Sequence, residues 1–142
     1  MIPTSLEDQL VRDENEILHV YQDSEGYWTI GVGTCIDQRA GCGITREESR
    51  YLLRNRIAIA EQAVADRLPW TKDLAPIRRA VLENMAFNEG LAHLMDFHKM
   101  LTALAMGDYK TAAAEMLDSL WARQVGDRAK RLAKQMETGE WV

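Results

Sequence analysis

At 142 residues the chain has the length of one domain, and with 46% apolar and 27% charged residues it has the composition of an ordinary globular protein. No apolar run approaches the roughly 20 residues that span a bilayer, and Met1 to Leu10 carry two acids and no base, which does not make a signal peptide. Of the net charge of −5, residues 1–44 hold −6 (two bases against eight acids), leaving +1 on the rest; without a basic stripe or a high pI this is not a general nucleic-acid binder.

Thr4, Ser5, Glu7 and Asp8 open a helix, with two hydroxyls each followed three residues on by an acid. Leu6, Leu10 and Val11 give it an apolar face, and Glu14 leaves from that stripe at the helix end. Residues 17–33 cluster β-branched and aromatic side chains around Ser24-Glu25-Gly26, predicting a short hairpin. Gly31, Gly33, Gly41 and Gly43 then mark tightly turning backbone. Thr45-Arg46-Glu47-Glu48 is a capping box opening a helix of about 23 residues that Pro69 closes, with Leu53, Ile57, Ala60, Val64 and Leu68 on one face. Further helices are expected from Pro76 to a stop at Gly90, from Leu91 to Met106, from Tyr109 to Trp121 (without a marker at its end), and from Val125 to Met136. The fold class is α+β, mainly α. We expect a single domain over residues 1–142, with a small β-containing lobe at about 17–44 and a helical lobe at 45–142 joined by the N-terminal helix. The length suffices for a core without covalent staples.

Cys35 and Cys42 lie seven apart with no second pair or spaced histidine, which argues against a zinc site. They are expected as free thiols in a protein made in the cytosol; in an oxidising compartment they could bridge a hairpin. No phosphate loop, Ser-His-Asp set or metal motif occurs, so neither a cofactor nor a metal is expected, and His19, His93 and His98 read as surface or core residues.

The acidic residues offer one candidate pair. Apolar surroundings disfavour a charged carboxyl, the condition that a general acid needs near neutral pH, and Glu14 leaves an apolar stripe. Asp23 lies nine residues on at a polar turn, and Thr29 follows in the return strand. Two carboxyls in unlike surroundings form the pattern glycosidases use, though a helix-end acid and a turn aspartate also occur without any chemistry.

The frame around that pair carries a resemblance. Asp13-Glu14 and the run from Tyr21 to Gly33, Y-x-D-x-x-G-Y-x-T-I-G-x-G, resemble the active-site segment of phage-type lysozymes, the endolysins of glycoside hydrolase family 24. Asn84 to Asn88, Gly107 to Tyr109, Trp121 to Gln124, Arg128 to Arg131 and Thr138 to Trp141 resemble that family's helical lobe. The chain departs from the pattern in Asn15 where glycine is common, Thr34 where histidine is frequent, Glu89 where a neutral residue is common, and a short Thr29–Thr45 stretch. The resemblance implies a two-lobed lysozyme-like fold with a long interlobe helix. It also implies a cofactor-free muramidase with Glu14 as acid, and Asp23 with Thr29 orienting water for an inverting attack. Phe87 would touch substrate, and Arg128 would stand behind the acid. The implied partner is bacterial peptidoglycan, with no nucleic acid and no stable membrane insertion, for a monomer held in the host cytoplasm until a holin releases it to the wall. A lytic transglycosylase and a non-catalytic wall-binding protein of the same fold are the alternatives.

Overall fold

The computed structural model describes residues 2–142, and the chain forms two compact units, Met1–Tyr51 and Leu52–Val142. The first contains α1 (Leu6–Glu14), a three-stranded antiparallel sheet in the order β1 (Ile17–Gln22), β2 (Trp28–Gly31), β3 (Thr34–Cys35), and the first residues of α2 (Arg46–Arg67). Helix α1 therefore groups with the sheet, where the sequence reading had placed it with the helical lobe. The second unit holds the rest of α2, a 3-10 turn (Pro69–Asp73), α3 (Pro76–Glu89), α4 (Leu91–Met95), α5 (His98–Ala105), α6 (Tyr109–Leu117), α7 (Leu120–Val125) and α8 (Asp127–Thr138). Eight helices and one small sheet among the described residues make the fold α+β and mainly α, as the sequence leads one to expect.

Local chemistry sets the boundaries. The Ser5 hydroxyl accepts the Asp8 N–H at 3.0 Å and caps α1. At α2 the capping box closes in both directions: Thr45 N–H reaches Glu48 Oε2 at 2.6 Å, and Glu48 N–H reaches Thr45 Oγ1 at 3.1 Å. With 22 residues, α2 is about 33 Å long. The expected helix from Leu91 to Met106 is two helices, interrupted at Asp96 and Phe97. The ψ of +56° at Phe97 leaves the helical region, and its ring packs edge-on against Trp121 with centroids 5.9 Å apart. The expected Tyr109–Trp121 helix ends instead at Leu117, because Ser119 caps a new helix by accepting the Ala122 N–H at 3.0 Å.

The two units are stabilised differently. Leu82, Met85, Leu94, Met100, Leu104, Met116 and Met136 are fully buried in the second, a continuous apolar core. Arg78 fastens α3 to the end of α8, donating to the Met136 carbonyl at 2.8 Å and the Glu137 carbonyl at 3.0 Å while its guanidinium stacks over Tyr109. In the first unit, Thr29 is the one buried residue among those described, and α1 buries none of its leucines; Leu6 is 69% exposed. The expectation that α1 seats an apolar stripe is therefore not met. A unit this small without a core relies on cross-links. Here they are sheet hydrogen bonds, a contact of Arg39 with Tyr27, and a Cys35–Cys42 disulfide. The disulfide corrects both the expected free thiols and the expected independence from staples. Closing residues 35–42 over a short loop supplies the order that apolar burial does not.

Candidate active site

Glu14 is the last residue of α1, and Asn15 turns the chain out of the helix with φ +63°, the one positive φ at a non-glycine among the described residues. That turn takes the chain into β1 within three residues. Glu14 is exposed rather than held against apolar surface. Its carboxylate lies against the backbone of Gly33: a Cβ on Gly33 would sit 3.2 Å from Glu14 Oε2. Gly33 has φ +68°, which favours glycine, and any side chain there would also press on the acid.

Asp23 is half-buried at the turn between β1 and β2. Its Oδ1 accepts the N–H groups of Glu25 at 2.9 Å and Tyr27 at 2.8 Å, and its own N–H donates to the Tyr27 carbonyl at 2.9 Å. This is the Asx-type turn geometry that makes aspartate a good turn residue. Both N–H donors fall on one oxygen, Oδ1, which restrains the carboxylate and leaves Oδ2 without a hydrogen-bond partner among the described residues.

Thr29 lies in β2, paired with Tyr21 of β1 on one side and Cys35 of β3 on the other, which buries it to 4% exposure. Its hydroxyl donates to the Tyr27 carbonyl at 2.9 Å. With that proton engaged, Thr29 Oγ1 presents lone pairs only and can accept a hydrogen bond from water. One residue, Tyr27, thus holds both side chains: its N–H and carbonyl grip Asp23, and the same carbonyl takes Thr29. Asp23 and Thr29 share one anchor, the main chain of Tyr27.

Phe87 and Arg128 lie in the second unit. Phe87 is 46% exposed on α3 and lines a groove of about 420 Å³ with Ile57, Glu61, Glu83 and Trp141. Arg128 of α8 borders the same groove and donates to Asn84 Oδ1 through Nε at 3.1 Å and Nη2 at 2.7 Å. Burial pushes the Glu83 carboxyl up, with help from the nearby Glu61 carboxylate and against the pull of Arg79. A second cavity, about 490 Å³, is lined by Glu89, His93, Asp96, His98, Glu115 and Trp121 among others, so both histidines are exposed cavity residues. Among the described residues no group of three or more His, Cys, Asp or Glu could hold a metal ion, and no helix is long and apolar enough to cross a membrane.

Sequence reasoning did not find Gly33 as the seat of Glu14, nor Tyr27 as the residue joining Asp23 to Thr29. The glycine left a signal in its G-x-G context; the tyrosine acts through its main chain, which residue type does not encode.

A family model described as phage lysozyme matches residues 12–138. The probable T4-type lysozyme 1 of Dictyostelium discoideum is 28% identical over 162 aligned residues, covering 96% of this chain and 95% of that protein. The probable T4-type lysozyme 2 of the same organism is 26% identical with the same coverage. The pre-baseplate central spike protein Gp5 of Enterobacteria phage T4 is 32% identical across 95% of this chain, which spans 28% of that protein.

Proposed function

The chain belongs to the phage lysozyme family, and on that premise we propose that it is a muramidase hydrolysing the β-1,4 bond between N-acetylmuramic acid and N-acetylglucosamine in bacterial peptidoglycan. Glu14 donates a proton to the glycosidic oxygen. Asp23 stabilises the positive charge that develops at the anomeric carbon and accepts a proton from the attacking water through its free Oδ2. Thr29, restricted to accepting, takes a hydrogen bond from the other O–H of that water. A water held by two acceptors suits direct attack on the face opposite the leaving group, hence inversion. The observation that carries this reading is the common anchorage of Asp23 and Thr29 on Tyr27, in a chain matched to the family across all three proposed catalytic residues.

Phe87 as a substrate contact and Arg128 as a cation serving the acid are parts of the proposal that rest on resemblance alone. The same holds for its setting: a role in host cell lysis, with the chain kept in the host cytoplasm until a holin opens the way to the wall. The Cys35–Cys42 bridge supports an oxidising destination such as the periplasm.

The test is lysis of outer-membrane-permeabilised Gram-negative cells by wild type and by folded Glu14→Gln protein, followed by mass analysis of the products. Clearing by wild type, near-total loss in the variant and reducing-end muropeptides are expected. Anhydro-sugar products would make the chain a transglycosylase, and full activity in Glu14→Gln would remove the assigned acid.

A further inference from the structure

The segment after β3 returns over the turn that carries Asp23. The Cys35–Cys42 disulfide closes it, and Gly43 N–H donates to the Cys35 carbonyl at 2.9 Å. Within it, Ile36 N–H reaches the Trp28 carbonyl at 2.8 Å, and Asp37 Oδ2 accepts the Trp28 N–H at 3.2 Å. Asp37 Oδ1 pairs with Arg39 Nε at 3.4 Å, and the Arg39 guanidinium carbon sits over the Tyr27 ring, 2.9 Å from its centroid. Asp37 is well shielded and Arg39 is 41% exposed, so the cation is held from below by a carboxylate and capped onto an aromatic face. Both ends of the contact are tied down. The disulfide and the Trp28 hydrogen bonds fix the loop, while the Asp23 and Thr29 hydrogen bonds fix the main chain of Tyr27.

We propose that Arg39, braced by Asp37, is a positioning residue for the reaction: by clamping the Tyr27 ring it fixes the residue whose N–H holds the Asp23 carboxylate and whose carbonyl holds the Thr29 hydroxyl. The inference rests on the assignment of those two residues as the water-orienting pair. Tyr27 is half-buried with no apolar core beneath it, so its ring needs a partner to define the backbone orientation. Without the clamp the backbone at Tyr27 is freer to move, and the two hydrogen bonds that hold Asp23 and Thr29 move with it. The clamp acts on the water-orienting pair, so the loss is expected in turnover. The phenol oxygen takes no part, whereas the ring face does.

Purified full-length protein would be assayed on permeabilised cells and on isolated peptidoglycan, well below each variant's melting temperature. Arg39→Ala should lower kcat about tenfold at nearly unchanged KM, the scale expected when a reacting group is displaced by a fraction of an ångström. Arg39→Lys, which keeps a cation over the ring, should recover most of that loss. Tyr27→Leu should lose as much as Arg39→Ala, and the double variant no more than either. Amide exchange at Tyr27 should accelerate in Arg39→Ala. A kcat unchanged in Arg39→Ala, beside an inactive Asp23→Asn, overturns the clamp and leaves the catalytic assignment standing. Full activity in both Asp23→Asn and Thr29→Ala overturns the assignment, and the clamp falls with it. A loss that tracks melting temperature and is not restored by lysine also overturns the clamp, reducing Arg39 to a stabilising contact.

Discussion

Two glycines a single residue apart permit a controlled test of how Glu14 is seated. Gly31 and Gly33 have almost the same backbone, φ +67° and φ +68°. A side chain in this left-handed region costs about 1–2 kcal/mol. A Cβ on Gly31 meets nothing within 4 Å, whereas a Cβ on Gly33 meets Glu14 Oε2 at 3.2 Å and its carboxyl carbon at 3.7 Å. Alanine at either position therefore carries the same backbone cost, and only Gly33→Ala adds a contact with the acid. The contact is relieved by a shift of a few tenths of an ångström in an exposed side chain, which costs little stability. Both variants should melt about 4–8 °C lower, taking about 4 °C per kcal/mol at this chain length. Turnover should separate them. An error of about 1 Å in a reacting group can cost about a hundredfold, so a shift of a few tenths should cost Gly33→Ala about three- to tenfold while Gly31→Ala stays near wild type. Calorimetry gives the first quantity and the initial clearing rate of permeabilised cells the second. Equal activity losses in the two variants, or full activity in Gly33→Ala, would refute the idea that Gly33 seats the acid.

Three further outcomes follow from the packing. Arg78→Ala removes two hydrogen bonds from a charged donor to the end of α8 and a stacking contact on Tyr109, so urea unfolding should show a loss of about 1.5–3 kcal/mol; a change below about 0.5 kcal/mol would discount the fastening. Reducing Cys35–Cys42, or replacing both with serine, releases a bridge between residues seven apart, and the loop-entropy relation gives a loss of about 2.5 kcal/mol, read as a lower denaturant midpoint in dithiothreitol. The Glu83 carboxyl is held above the ordinary glutamate value of 4.5, first by burial and then by Glu61, against Arg79. The folded state therefore holds the proton more tightly than the unfolded one. The contribution of Glu83 is fully present below pH 4.5 and is lost as pH rises through the folded value. Glu83→Gln should gain on wild type over that rise in paired pH-resolved melts, and a constant difference between the two proteins would contradict the shift.

Much of this architecture is legible in residue order because its signals are local. The Thr45–Glu48 box, the Ser5 cap, the turn at 24–26 and the stop at Gly90 each depend on residues within a few positions of one another. What is not legible depends on distant partners. The break at Phe97 carries no glycine or proline; it is made by an aromatic contact with Trp121, 24 positions later. The disulfide depends on how the β3 loop folds back, and composition favoured free thiols. In the site, Glu14, Asp23 and Thr29 are visible through their spacing in a family pattern. Their physical support is less visible, because Gly33 acts by lacking a side chain and Tyr27 by its peptide groups. The apolar stripe of α1 misled for a related reason: Leu6 and Leu10 have helical periodicity, yet no core faces them within the first unit.

The anchoring of Asp23 and Thr29 to the main chain of Tyr27 makes the turn a ruler. Asp23 measures four residues forward to the Tyr27 N–H, and Thr29 measures two residues back to the Tyr27 carbonyl. Side chains along this stretch can be exchanged while those counts survive. One inserted or deleted residue cannot be absorbed, because a strand alternates its faces and a shift of one would turn Thr29 to the opposite face of the sheet. Drift in this segment should therefore preserve length more strictly than identity, and a library of single-residue insertions between 23 and 29 should contain no active member even where substitutions at 24, 25 and 28 are common.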